Sequence, residues 1–117
     1  MMRVTRLSLL SRMEASCRET RAHLDRIERQ IAARAERMTV TAKAKARLHR
    51  RGGSRWTLSD EALFRAYVDQ LGFERRGEID ALSRKLLRQE RAIAVVRAKS
   101  GNDNEDRLSS AVPGLAE

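Results

Sequence analysis

Apolar positions set the first frame. Leu10, Met13, Cys17, Thr20, Leu24, Ile27 and Ile31 follow one another in alternating steps of 3 and 4, and Met38 resumes the spacing after Arg34. Such a seam predicts a long amphipathic, coiled-coil-like helix over about residues 5–37. Cys17 and Thr20 are its weak points, and no Gly or Pro interrupts it. Glu14 and Arg18, and Asp25 and Arg29, stand at i,i+4 with the acid first, an order that supports a helix. Thr39, Val40 and Thr41 lower helix propensity, and Ala42, Ala44 and Ala46 restore it. The chain is expected either to bend there before a short helix to Arg51, or to continue as one rod. Gly52, Gly53 and Ser54 then end the helix.

A second helix is predicted from Ser59. Ser59 reads as the N-cap, with Asp60 and Glu61 in the first turn and Leu58 stapled to Leu63. Leu63, Phe64, Tyr67, Val68 and Leu71 fall within an arc of about 140°, a core-facing stripe. Gly72 suits the C′ position, with Phe73 closing back on Val68. A third helix is expected over 78–99, with Ile79, Leu82, Leu86, Ile93 and Val96 on its seam, Gln89 at the missing step and Gly101 as the stop. The remainder is polar, holds the only Pro, and reads as a disordered tail.

No alternating, β-branched pattern competes, so the expected class is all-α. The parts are a long amphipathic helix at 1–38, a basic segment at 39–57, a packed helical pair at 58–100 and a tail at 101–117. The long stripe needs a facing helix. The C-terminal helices cover part of it, and the rest predicts a homodimer or a larger protein partner, with Leu10, Met13, Leu24, Ile27 and Ile31 as the seam.

Charge changes the picture at one place. Residues 1–36 hold 8 basic and 5 acidic side chains, 37–59 hold 7 and none, and 60–117 hold 10 and 11, which together make the net +9. The positive field starts from the stretch TAKAKARLHRRGGSRW, Thr41 to Trp56. Such asymmetry points to a polyanionic partner. Most of the cations are Arg, suited to bidentate phosphate contact, although a GC-rich codon bias produces the same composition. On a helix, Lys43, Arg47, Arg50 and Arg51 share an arc of roughly 100° over about 12 Å, and only Lys45 points away. Arg55 follows the glycines. This is a ridge for tracking phosphates; the competing readings are an acidic protein surface, or a solvated connector. Trp56 is better suited to anchor the following helix than to stack on a base.

Other chemistry is thin. Cys17 is alone, so it forms no intrachain disulfide and fits a reducing, cytoplasmic setting. In its seam position it reads as a small core hydrophobe. No apolar run approaches the ~20 residues of a membrane span, and the basic start lacks the apolar region of a secretory leader. His23 stands four residues after Glu19, a helix-surface pair and not the Glu-x-x-His of a di-iron site. There is no Cys/His cluster and no phosphate-cradling P-loop, so neither an enzyme nor a metal or other cofactor is expected. A helix-turn-helix over 59–99 fits poorly: Val68 stands where a small residue belongs, and Ile79 and Leu82 come one step late. The reading is a non-enzymatic, dimeric, nucleic-acid-binding accessory protein that uses backbone contacts to DNA or RNA. The alternative is a helical adaptor or inhibitor that docks through its apolar seam, its basic run meeting an acidic patch.

Overall fold

The computed structural model describes the backbone of residues 2–47 and 55–111, and the side chains of 5–46 and 55–102. Three helices account for nearly all of it: α1, Met2–Arg47; α2, Leu58–Glu74; and α3, Arg76–Ala111. The protein is all-α, with no strand among the described residues. Two compact units divide the chain, one of Met1–Arg21 with Ser83–Glu117 and one of Ala22–Leu82.

Of the two expectations for residues 39–51, the continuous rod is found as far as Arg47. The β-branched residues do not interrupt it, and both threonine hydroxyls find acceptors within the helix. The Thr39 hydroxyl donates to the Ala35 carbonyl at 2.8 Å, and Thr41 donates to Arg37 at 2.9 Å. Thr39 and Ala35 are fully buried, and the small Ala35 lets the helix approach its neighbours closely.

The core of the Ala22–Leu82 unit is the α1 seam. Ile27, Ile31 and Ala35 form a buried cluster with Leu71 of α2; Met38, Phe64, Tyr67, Val68, Ile79 and Leu82 pack against it. Four of the five expected stripe residues of α2, Phe64, Tyr67, Val68 and Leu71, and the first seam residues of α3 thus meet the 3–4 seam of α1. Ile27 and Ile31 are buried in the chain's own core, and Leu24 is half-buried, so they present little surface to a second chain.

In the other unit, Cys17, Thr20 and Ile93 are buried, and Leu10 and Met13 are half-buried. Gln89, the polar break in the α3 seam, donates to the Ser16 hydroxyl at 3.1 Å. Glu14 accepts from Arg97 at 2.9 Å, and not from Arg18 four residues along, while Arg21 pairs with Glu90 at 3.0 Å.

The start of α2 differs from expectation. Thr57, not Ser59, is the N-cap. Its backbone is extended, its hydroxyl accepts from the Asp60 amide at 3.2 Å, and the Asp60 carboxylate accepts from the Thr57 amide at 2.8 Å. This is a capping box with Asp in the position usually held by Glu or Gln. The shift of two residues moves Leu58 into the first turn, where it is 91% exposed and staples nothing. Trp56 takes the preceding position, its ring edge-on to Phe64 at 6.2 Å and its Nε1 donating to Glu61 at 3.0 Å. Replacing Thr57 by alanine should cost ~1 kcal/mol of stability, while Thr57→Ser should be close to neutral. Chemical denaturation monitored by circular dichroism measures both; equal costs for the two variants would contradict the assigned cap.

Neither Gly72 nor Gly101 ends a helix, and the stop expected at Gly52, Gly53 and Ser54 lies outside the described residues. Gly72 has no positive φ, and α2 passes through it to Glu74. Phe73 is 67% exposed beneath the Arg76 guanidinium, 4.6 Å from the ring centroid, instead of closing on Val68. One glycine costs a helix only ~1 kcal/mol, and the packing of Leu71 and Ile79 on α1 outweighs it. Likewise α3 runs past Gly101 to Ala111, and residues 112–117 of the expected tail lie outside the described residues. Arg75 alone separates α2 from α3. That leaves no room for the 3–4-residue turn of a helix-turn-helix.

Candidate nucleic-acid interface

The five cations of the expected ridge separate into three groups. Arg50 and Arg51 lie outside the described residues, as does the side chain of Arg47, whose backbone is the last residue of α1. Arg55 is exposed, and its guanidinium has no partner among the described residues. Lys43 is committed elsewhere: its Nζ donates to the Asp60 carboxylate at 2.7 Å and to the Arg55 carbonyl. The two side chains of this ion pair are only 15% and 12% exposed.

Lys43 is thus a clasp. It joins the last turns of α1 to the cap of α2, on either side of the Gly-Gly-Ser segment. Asp60 serves the capping box and the clasp with the same oxygen, Oδ2. The Lys43 ammonium, and next the Thr57 backbone amide, hold the Asp60 carboxyl below its ordinary value. A depressed carboxyl contributes stability that is complete above the usual carboxylate range and is lost as pH falls through the lowered value. The stability gap between the wild type and Asp60→Asn should therefore be constant near neutrality and narrow below about pH 4. Urea titrations from pH 7 to 2 test this; a gap that widened on acidification would show the sign to be wrong.

A different set of cations is left open. Arg34, Arg37 and Lys45 are exposed, and their side chains have no ion pair or hydrogen-bond partner among the described residues. With Arg34 set at 0°, Arg37 falls near −60°, Thr41 near −20° and Lys45 near 20°, at about 100° per residue. They form one flank of α1, beside the face that packs on α2, over an axial length of about 16 Å. The flank borders an open groove of roughly 610 Å³, lined by Arg34, Arg37, Met38, Thr41, Lys45 and Tyr67 together with Ala42; among the described residues no carboxylate lines it.

This flank overlaps the basic segment and differs from the expected ridge. Lys45, which pointed away from the ridge, belongs to the groove, and Lys43 does not. Arg34 interrupts the apolar seam, and that interruption was the available sequence signal for it. Tyr67 was read only as a core residue; it packs on the core and also lines the groove.

Among the described residues no group of three or more His, Cys, Asp or Glu side chains stands close enough to hold a metal ion. His23 lies 3.8 Å from Glu78, which also accepts from Arg75. Cys17 is a buried free thiol. No described helix is long and apolar enough to cross a membrane. Compared with known families, curated proteins and solved structures, the chain matches none of them.

Proposed function

We propose that the protein is a non-enzymatic nucleic-acid-binding accessory factor that contacts the phosphate backbone. The observation that carries this reading is the set of Arg34, Arg37 and Lys45, exposed and without side-chain partners among the described residues, beside a groove whose described lining holds no carboxylate; Glu74 borders Arg34 and Arg37 only in a separate, smaller cavity. The flank leads into a stretch, 37–59, that contains no acid. Arg47, Arg50, Arg51 and Arg55 extend the same field along the chain. Two phosphate-binding arginines and a lysine in helical register suit a polyanion of regular charge spacing better than a single small anion. The cations of the groove are suited to phosphate contacts, which position a nucleic acid without reading its sequence.

Fluorescence anisotropy with labelled duplex DNA, single-stranded DNA and RNA, each across a salt titration, is the test. The reading requires binding that weakens steeply with salt. No binding to any of them at low salt would remove it. A protein partner with an acidic surface would then be the next candidate for the same cations.

A further inference from the structure

We infer that the groove beside α1 takes a single strand, with Arg34, Arg37 and Lys45 on its phosphates and one base stacked on Tyr67. This rests on the nucleic-acid reading above and adds the form of ligand and the residue that selects it.

The argument starts from the groove's two kinds of lining. Its lining combines the three open cations with Met38, Ala42 and Tyr67. A duplex presents phosphates and sugars to a surface, while its bases face one another inside. Cations alone satisfy it, and apolar lining with an aromatic ring beside them meets nothing. A single strand brings both a charged backbone and exposed π-faces, and proteins hold it by combining a positive groove with aromatic platforms. The lining of this groove matches that second combination.

Tyr67 is suited to be the platform. It is half-buried and packs on the cluster of Ile27, Ile31, Ala35 and Leu71, so its ring is held by the core. A tyrosine has only two side-chain torsions to immobilise, and packing has already restricted them. Its hydroxyl has no partner among the described residues. Trp56 is the less suitable ring, since it packs T-shaped against Phe64 and its N–H is engaged by Glu61.

The test uses the full chain and four labelled probes of equal length: mixed-sequence single-stranded DNA, the matching RNA, the matching duplex, and an abasic single strand that keeps phosphates and sugars but lacks bases. One stacked base should make the base-bearing strands bind about 5- to 150-fold more tightly than the abasic strand. Tyr67→Phe should keep that preference. Tyr67→Leu should abolish it while leaving the abasic affinity and its salt slope in place, with circular dichroism checking helicity. The RNA and DNA arms identify the sugar preferred, and a preference for either supports the inference. Equal binding of abasic and base-bearing strands by the wild type would overturn the inference, and this needs no variant to fold. Tighter binding of the duplex, or an equal loss on all probes in a folded Tyr67→Leu, would also overturn it. In each of these cases the broader reading stands. Absence of binding to every probe at low salt overturns both.

Discussion

Replacing Ile27 by alanine should destabilise the Ala22–Leu82 unit by ~2–5 kcal/mol, the range for truncating a buried aliphatic side chain and leaving a cavity. Ile27 is 1% exposed and belongs to the cluster where α1 meets Leu71. A unit of about 60 residues has a total stability of only ~3–9 kcal/mol at 0.05–0.15 kcal/mol per residue. The single truncation therefore removes a large part of it, and Ile27→Asp, which buries an unpaired charge, should leave the unit unfolded. Thermal and urea unfolding followed by circular dichroism give the measurement. Leu58→Ser is the matched control: Leu58 is equally apolar but exposed, and its replacement should stay within about 0.5 kcal/mol. If both variants lost the same stability, the seam of α1 would not be the core. The same experiment bears on a dimer. With Ile27 buried inside one chain, the stability of the unit should not depend on protein concentration.

The second large effect concerns binding. Changing Arg34, Arg37 and Lys45 together to alanine should lower nucleic-acid affinity by about 100-fold near 0.1 M salt. It should also flatten the slope of log affinity against log salt by about 2–3, since each phosphate contact contributes 0.7–0.9 to that slope. Lys43→Met should leave the slope unchanged, because its ammonium is occupied by Asp60 and the Arg55 carbonyl. Its cost should appear in stability, through the broken clasp. The pair of results separates the open flank from the ridge expected along 43–51. A steep slope that survived the triple change but disappeared in Arg47→Ala/Arg50→Ala/Arg51→Ala would move the interface to the segment between α1 and α2. A slope that fell with Lys43→Met would show that the clasp opens to meet phosphate.

The helices themselves were legible from local pattern. The 3–4 spacing of Leu24, Ile27 and Ile31 identified a buried face of α1, and the stripe from Leu63 to Leu71 identified the face of α2 that meets it. A helix repeats every 3.6 residues wherever it is placed, so the buried side of each element can be read without knowing its neighbour. The caps were less legible. Both Thr57 and Ser59 are good N-cap types; the choice of Thr57 goes with Asp60 at its third position. That carboxylate is also held by Lys43, 17 residues away. The glycine stops failed for a related reason, because local propensity at Gly72 is weaker than the packing of Leu71 and Ile79 on either side of it.

The charged site shows the same division most clearly. The sequence alone determined that the positive charge is concentrated in 37–59, that this stretch contains no acid and that part of it is helical. Those properties depend only on composition and helical period. Which cations remain open was decided by tertiary structure. Asp60 lies one residue beyond the acid-free stretch and neutralises Lys43 from the start of α2, and α2 brings Tyr67 to the side of α1 where Arg34, Arg37 and Lys45 emerge. The physical reason is that a charge is available or spent according to what the fold brings within a few ångströms of it, and that distance is unrelated to separation along the chain.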